Sequence, residues 1–324
     1  MSIITYREAI NQALREEMER DKNVILIGED IGLFGGAMAV TKGLYERFGE
    51  ERVIDTPISE SVIIGGALGM ALTGLRPIAE IMFIDFTLVC MDQIINQVAK
   101  VRYMLGGQVE IPLVIRTQGG GGKGYAAQHS QSLEVLFSHI PGLKVIMPSN
   151  PEDAKGLLKS AIRDNNPVLF IEHKLLYNEK GEVPDGDYTI PIGEARVCRE
   201  GKAVTIVSHS RMVLLALKAA DYLDKEGISC EVIDLRTMRP LDVKTIIKSI
   251  QKTHRLITVE EGHLSFGLGA EVAARVTELA FDELDAPPLR IGALETPIPF
   301  NESLEKEVLP SPEKIIKAVR QVIS

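Results

Sequence analysis

The stretch DTPISESVIIGGALGMA, residues 55–71, decides how this chain can fold. It leaves a strand-like run and continues as an apolar helix, whose small residues allow tight packing against another backbone. Glu60 lies at the junction, where a carboxylate shielded from water would be unusually basic. The alternative is an ordinary helix start, with Ser59 as the cap and Glu60 facing the positive end of the helix dipole.

Short apolar runs alternate with helix-length segments on both sides of this stretch. A helical pattern over residues 9–18 leads into an apolar run that ends at Gly28. Further strand-like runs occupy residues 52–55, 77–83, 111–116, 144–147 and 168–172. Such alternation is typical of a mainly parallel sheet covered by helices, and it predicts an α/β fold.

A second region of the same kind follows a candidate linker. Residues 177–191 are rich in Gly, Pro, Asp and Glu and show no sustained periodicity. Beyond Gly193, strand-like runs at residues 204–208, 230–235, 256–260 and 289–291 alternate with helical patterns at 213–226, 243–250, 270–279 and 312–323. The chain is therefore predicted to form two α/β domains, residues 1–192 and 193–324.

Composition narrows the classes of function. With 45 acidic and 36 basic residues among 324, the net charge of −9 argues against a nucleic-acid surface. The longest apolar stretch, residues 62–75, is too short to span a bilayer, and no export signal is evident at the amino terminus. These features predict a cytoplasmic protein with no membrane segment.

Several strings occur in a fixed order along nearly the whole chain. They are GED (28–30), DTPISE (55–60), GLRPIAE (74–80), AAQHSQS (126–132), PGLKVIMPSNPEDAKGL (141–157), AIRDNNPV (161–168), VSHSR (207–211), DLRTMRPLD (234–242), VEEG (259–262) and FGLGAE (266–271). Together they make the chain resemble the beta subunits of thiamine diphosphate-dependent 2-oxo acid dehydrogenases. The resemblance implies a pyrimidine-binding domain followed by a transketolase-like carboxy-terminal domain. The pyruvate and acetoin dehydrogenase beta subunits are similar to it to nearly the same degree.

The resemblance assigns cofactor contacts to two residues of the first domain. In the family, the glutamate that ends DTPISE bonds to nitrogen N1′ of the aminopyrimidine, and this role falls on Glu60. Phe86 matches an aromatic residue that packs on the aminopyrimidine ring. A plain core phenylalanine is the alternative for Phe86, and the nearby Phe83 keeps that alternative open.

Two further residues receive catalytic roles from the resemblance. The histidine of the HSQ string, here His129, assists substrate protonation or acyl transfer to the lipoyl group; a capping or loop-stabilising histidine is the alternative. Glu29 matches an acidic chain that connects two active sites, and an acidic side chain exposed at a strand end is the alternative. The glycines at 119–122 do not form a phosphate loop, because the first glycine and the final Ser or Thr of that motif are missing.

The string AIRDNNP implies a monovalent cation, usually potassium, held by backbone carbonyls and one acidic side chain. Matched residue by residue, the implied ligands are Leu113, Ala161, Ile162, Asp164 and Asn166. A helix end closed by Asn and Pro is the alternative explanation for the string, and both can hold at once.

A missing motif indicates the partner. Thiamine diphosphate also needs Mg²⁺, which the superfamily holds with a GDG motif and a later asparagine pair, and this chain contains no GDG. The resemblance therefore implies that an alpha subunit supplies the diphosphate and Mg²⁺ site, in an assembly of two alpha and two beta chains. It also implies contact with a second beta subunit, and with the core and lipoyl domain of a dihydrolipoamide acyltransferase.

The predicted function is oxidative decarboxylation of pyruvate followed by acylation of the lipoyl group. Acetoin is the first alternative substrate, and branched-chain 2-oxo acids are the second. A transketolase-like half-enzyme is disfavoured by the missing GDG, and a non-catalytic scaffold subunit is disfavoured by the presence of both Glu60 and His129.

Overall fold

The computed structural model describes residues 1–324, which divide into two compact units. The first unit comprises residues 1–119 and 136–192, and the second comprises residues 120–135 and 193–324. The sequence-based division differs from this one in residues 120–135, which it places with the amino-terminal part. Each unit is an α/β structure, so the predicted fold class is confirmed.

The strands and helices alternate along most of the chain. The strands are β1 (Ser2–Thr5), β2 (Val24–Gly28), β3 (Val53–Asp55), β4 (Arg76–Ile81), β5 (Val114–Gly119), β6 (Lys144–Ile146), β7 (Val168–His173), β8 (Lys180–Val183), β9 (Arg196–Arg199), β10 (Val204–Ser208), β11 (Cys230–Asp234), β12 (Thr237–Arg239), β13 (Leu256–His263) and β14 (Leu289–Ala293). The α-helices are α1 (Tyr6–Arg20), α2 (Leu44–Phe48), α3 (Glu60–Leu72), α4 (Val101–Met104), α5 (Glu134–Ser138), α6 (Pro151–Arg163), α7 (Arg211–Asp224), α8 (Val243–Thr253), α9 (Leu268–Ala280), α10 (Glu302–Val308) and α11 (Pro312–Ile323). Two 3₁₀ turns (Ile84–Leu88 and Phe281–Glu283) and a π-helical turn (Gln93–Val98) complete the elements.

The main sheet of the first unit is parallel. Its strands lie in the order β6-β7-β5-β4-β2-β3, and every pair among them is parallel. Strand β4 is buried from Pro77 to Ile81, as expected for a strand covered on both faces. A small antiparallel pair, β1 with β8, lies apart from this sheet. Strand β8 falls inside the segment that the sequence assigned to a linker.

Helix α1 covers one side of the first unit by packing against α6. Its apolar positions recur at helical spacing and are buried, including Ala9, Ile10 and Leu14. Thr5 and Glu8 form a reciprocal capping box at its start. Lys159 of α6 forms an ion pair with Glu16 at 2.7 Å, which links the two helices.

The second unit repeats the same layering on a smaller scale. Its sheet has the order β14-β13-β10-β11-β9, parallel except for the β9 edge strand. Val204, Ile206 and Ile257 of the sheet pack against helices α7 and α11 in a continuous apolar core. A separate small cluster of Ala293, Ile298, Val308 and Leu309 anchors α10.

No helix of the structure has both the length and the apolar character that a membrane crossing requires.

Candidate functional site

The carboxyl ends of the parallel strands meet at one edge of the first unit's sheet. Glu29 follows β2 directly, Asp55 ends β3, and the 3₁₀ turn Ile84–Leu88 follows β4. The backbones are tight here, because a Cβ atom on Gly28 would lie 2.9 Å from the carbonyl oxygen of Glu80. Ligands of open α/β sheets bind at the carboxyl ends of the strands, so we expect a binding site at this edge.

The structure brings Glu29 and Glu60 together at this edge. Glu29 is 8% exposed. Burial raises the pKa of its carboxyl, and the negative charges of Glu60 and Asp30 raise it further, against a hydrogen bond from the Ser59 backbone. Its Oε1 atom is buried and has no hydrogen-bond partner. Glu29 therefore has unused capacity to accept a hydrogen bond at this acidic edge.

Glu60 is the first residue of α3 and is half-buried in the single chain. Ser59 precedes the helix, but its side chain makes no capping hydrogen bond. The Ser61 hydroxyl donates to the carbonyl of Val89 at 3.0 Å and so ties the start of α3 to the segment after the 3₁₀ turn. Burial and then the charge of Glu60 raise the pKa of the Cys90 thiol to about 12.

The two candidate aromatic residues have different surroundings. Phe86 lies in the 3₁₀ turn Ile84–Leu88 and is half-buried. Phe83 precedes that turn, and the Lys174 ammonium lies 5.1 Å from its ring centroid, within cation–π range. The Phe83 ring therefore already contacts a side chain of the same protein, the Lys174 ammonium.

One face of α3 is apolar yet exposed in the single chain. Its three glycines, Gly65, Gly66 and Gly69, are exposed, and Val62 and Leu72 are 65% and 43% exposed. The opposite face, with Ile63, Ile64 and Ala67, is buried. A helix that is apolar on all sides is ordinarily covered on all sides, so this face has the character of a contact surface.

A fully buried charge network supports the same sheet edge. Arg116 of β5 is 1% exposed; its guanidinium donates to Glu80 at 2.7 Å and to Glu172 at 2.7 and 2.9 Å. The Tyr177 hydroxyl donates to Glu172 at 2.7 Å, and Gln118 donates to Glu80 at 2.9 Å. Burial raises the pKa of Glu172 although Arg116 opposes that shift. These contacts link the three neighbouring strands β4, β5 and β7 through their side chains.

His129 lies in the second unit, in the loop of residues 120–135, and is half-buried. A cleft of about 530 Å³ lies beside this loop, lined by Ser130, Ser132, Glu261 and His263 among others. The Ser130 hydroxyl is buried and has no hydrogen-bond partner. Glu29, Glu60 and Phe86 belong to the first unit instead.

A buried group of titratable side chains lies next to this loop in the second unit. The His209 Nε2 atom is 3.3 Å from the Glu134 carboxylate. Burial alone would lower the pKa of His209, but the hydrogen bond to Glu134 and the charges of Glu134, Glu260 and Asp234 raise it. Burial raises the pKa of Glu260 to about 7, although the amides of Leu268 and Gly269 donate to its carboxylate.

Comparison with known proteins follows the two units. Residues 2–180 match the family model "Transketolase, pyrimidine binding domain", and residues 193–315 match "Transketolase, C-terminal domain". The acetoin:2,6-dichlorophenolindophenol oxidoreductase subunit beta of Bacillus subtilis is 49% identical, covering 99% of this chain and 97% of that protein. The mitochondrial pyruvate dehydrogenase subunit beta of Homo sapiens is 48% identical, covering 99% of this chain and 91% of that protein.

The chain belongs to the family of pyruvate and acetoin dehydrogenase beta subunits. Among solved structures, a protein described as "Split gene transketolase, inactive beta4 tetramer" is 25% identical with a TM-score of 0.81, covering 99% of this chain and 98% of that one. The transketolase of Campylobacter jejuni has a TM-score of 0.72 at 15% identity, and 47% of its chain is covered. The resemblance drawn from the sequence strings is confirmed.

In this family member the oxygens of the predicted cation site already have internal partners. The Arg76 guanidinium donates to the carbonyls of Ile162 and Asp164, each at 2.8 Å. The Asp164 carboxylate pairs with Lys144 and accepts from Asn166 at 2.8 Å. The carbonyls of Leu113 and Ala161 accept from Val168 and Asp164. The Ile162 carbonyl accepts from both Nε and Nη2 of Arg76, so a monovalent cation bound here would have to rely on the other oxygens of the set, beside the Arg76 guanidinium.

Sequence reasoning on this beta-subunit chain missed two groups of residues. It assigned no role to Arg116, Glu80 and Glu172, or to the acidic residues that contact the loop of residues 120–135. A charged residue in the middle of a buried strand is a usable signal for the first group, because such a residue needs a partner. VEEG and VSHSR were noticed only as family strings, although both follow apolar runs.

Proposed function

We propose that this chain is the beta subunit of a thiamine diphosphate-dependent enzyme that decarboxylates pyruvate and acylates a lipoyl group, and that it is active only with an alpha subunit. The observation that carries the proposal is the pairing of Glu60 with the buried Glu29 at the carboxyl edge of the sheet. The names of the relatives, pyruvate dehydrogenase among them, support the reaction.

The residues at this edge fit one half of the cofactor. Bound thiamine diphosphate supplies carbanion-stabilising chemistry. Glu60 would hold a proton at ring nitrogen N1′, and Phe86 would pack on the aminopyrimidine ring. The orphan Oε1 atom of Glu29 supports this assignment, because a buried acceptor without a partner is uncommon in a finished site. Glu29 would pass protons between Glu60 and the second active site.

His129 would act on the substrate side. A histidine suits proton transfer near neutral pH, and this one would protonate the substrate or assist transfer of the acyl group to the lipoyl arm of the acyltransferase. The alpha subunit would contribute the diphosphate and Mg²⁺ site, in a complex of two alpha and two beta chains. The exposed glycine face of α3 is the surface we assign to the second beta subunit. The cytoplasmic location stays a prediction.

Acetoin is the second candidate substrate. The acetoin oxidoreductase beta subunits of Bacillus subtilis and Cupriavidus necator are each 49% identical to this chain, against 48% for the human pyruvate dehydrogenase subunit. The relatives thus support the two substrates to nearly the same degree. Branched-chain 2-oxo acids rank third.

Reconstitution tests the proposal. The chain is co-purified with the alpha subunit encoded beside it, loaded with thiamine diphosphate and Mg²⁺, and given pyruvate, acetoin and branched-chain 2-oxo acids separately. We expect pyruvate to give the highest kcat/KM and Glu60→Ala to lower it at least 100-fold, as loss of a positioned acid does. Unchanged turnover in Glu60→Ala would support the scaffold alternative instead.

Potassium is tested separately. If K⁺ binds the oxygens around Asp164, KCl should raise the unfolding temperature more than choline chloride at the same ionic strength. Asp164→Asn should remove this difference. Equal unfolding temperatures of the unaltered chain in the two salts would contradict the cation site.

A further inference from the structure

The loop that carries His129 begins with a glycine run whose backbone alternates in hand. Gly120, Gly122 and Gly124 have φ angles of +88°, +90° and +67°, whereas Gly121 and Lys123 between them do not have positive φ. Backbone of alternating hand can present its N–H groups to an anion. The φ angles of these three positions strongly favour glycine.

The anions that accept from these amides are two carboxylates of the chain itself. Glu305 of α10 accepts from the amide of Gly122 at 2.7 Å through Oε1 and from that of Gly124 at 3.0 Å through Oε2. Glu261 accepts from the amide of Gly121 at 2.7 Å and from the Ser132 hydroxyl at 3.3 Å. Both ends of the loop are thus bound to acidic side chains of the second unit.

Glu305 is buried, and the residues around it fix its position. Its side chain is 2% exposed, and the charge is compensated by the two loop amides. Helix α10 is fixed by its Asn301 cap and by the apolar cluster that includes Val308 and Leu309. A Cβ atom on Gly121 would lie 3.0 Å from Leu309 and 3.2 Å from Glu305, so loop and helix are in close contact.

Burying the Glu305 carboxylate costs desolvation free energy. We expect such a cost where the position of the loop matters to function. A neutral or apolar contact would avoid the desolvation of a charge. The two amides of Gly122 and Gly124 lie five to seven residues before His129, on the same strip of backbone. The Gly120 amide donates to the Gln131 carbonyl at 3.0 Å, which closes the strip around that histidine.

We propose that Glu305 is a positioning residue, whose carboxylate holds the loop of residues 120–135 so that His129 meets the acyl group in the productive geometry. This inference rests on the proposed role of His129. In this role Glu305 acts through the amides of Gly122 and Gly124 and not by direct contact with the reacting groups.

The first experiment measures how strongly Glu305 restrains the loop, and it does not depend on catalytic activity. Amide hydrogen exchange is followed by mass spectrometry in the reconstituted complex for a peptide that covers residues 120–128. Glu305→Gln retains only one acceptor oxygen and no charge, so exchange of the Gly122 and Gly124 amides should be about tenfold faster or more. Glu307→Gln, an exposed residue of the same helix, is the matched control and should exchange like the unaltered complex.

The catalytic consequence is measured by separating the two half-reactions. Decarboxylation is followed with an artificial electron acceptor, and acyl transfer with an isolated lipoyl domain. In Glu305→Gln, transfer should fall about tenfold while decarboxylation and the KM for pyruvate change less than threefold. Glu305→Asp, which keeps the charge on a shorter stem, should recover part of the transfer rate.

Two results would overturn the inference. One is equal exchange in Glu305→Gln and Glu307→Gln, which would mean that the carboxylate does not hold the loop. The other is faster exchange with transfer unchanged, which would mean that the hold has no catalytic use. His129→Ala is assayed in parallel: if it transfers acyl groups normally, the proposed role of His129 fails, and the exchange data alone still report whether Glu305 holds the loop.

Discussion

The carboxylate of Glu60 lies close enough to that of Glu29 to raise the pKa of Glu29 by its negative charge. Glu60 begins α3 and Glu29 follows β2, and the two elements present like charges at one edge of the sheet. Two carboxylates held close together repel one another, which lowers the free energy of unfolding. Such a cost is typical of functional sites.

Removing one charge of this pair should therefore stabilise the full chain. Because burial and Glu60 raise the pKa of Glu29 above its ordinary value, the repulsion is absent at acid pH and develops as Glu29 ionises. We expect Glu60→Gln to raise the free energy of unfolding by about 0.5 kcal/mol at pH 8 and by less at pH 5. Urea titrations at both pH values measure it. Glu110→Gln, at an exposed site, serves as the control, and a destabilised Glu60→Gln chain would contradict the repulsion.

Much of the fold could be predicted because its elements are local patterns. The runs predicted at residues 204–208 and 312–323 coincide with β10 and α11. Strand β8 was missed because KGEV has no apolar alternation and becomes a strand only by pairing with β1, far away in the sequence. Pairing over such a distance leaves no local signal.

The site divides in a similar way. Glu29 and Glu60 could be selected from family strings, and the structure brings them together. Glu305 lies in no such string, and the role of Glu261 could not be read from VEEG, because the partners of both are backbone amides, 183 and 140 residues away in sequence. Every residue except proline has such an amide, so the partner has no side-chain signature.

The Arg116 network should be far more costly to break than a surface ion pair. Arg116→Met leaves Glu80 and Glu172 buried without their cation, and we expect a loss of about 3–5 kcal/mol in the free energy of unfolding. Tyr177→Phe removes only the hydroxyl that donates to Glu172 and should cost about 1–2 kcal/mol. Arg275→Met removes only an ion pair whose Arg275 side chain is 41% exposed, and it should change stability by less than about 0.5 kcal/mol. Chemical denaturation ranks the three variants, and a loss below about 1 kcal/mol for Arg116→Met would refute the role of the network.

Glu260 should make the second unit less stable as the pH rises. Its pKa in the folded chain is about 7, against an ordinary value of 4.5, so the folded state binds this proton more tightly than the unfolded state. The stabilisation is complete below about pH 4.5 and is lost as the pH rises through about 7, up to roughly 3 kcal/mol in all. The raised pKa of His209 acts in the same direction.

Substitution isolates this contribution. Glu260→Gln is neutral at every pH and can still accept from one amide at the start of α9, so its unfolding free energy should fall less between pH 5 and pH 8 than that of the unaltered chain. Glu271→Gln, exposed on the same helix, should leave the slope unchanged. Equal slopes for Glu260→Gln and the unaltered chain would show that Glu260 titrates normally.

Alanine substitutions at Gly142 and Gly186 distinguish the cost of a left-handed backbone from the cost of a steric clash, because both glycines have positive φ angles and only one is crowded. Gly142 and Gly186 have φ angles of +91° and +83°, so alanine should cost each about 1–2 kcal/mol through the left-handed backbone alone. A Cβ atom on Gly142 would also lie 1.9 Å from the carbonyl oxygen of Ala99, whereas one on Gly186 would meet nothing within 4 Å. We expect Gly142→Ala to cost at least about 2 kcal/mol more than Gly186→Ala in the free energy of unfolding. Equal stability of the two single variants would show that the backbone at Ala99 moves aside at no cost.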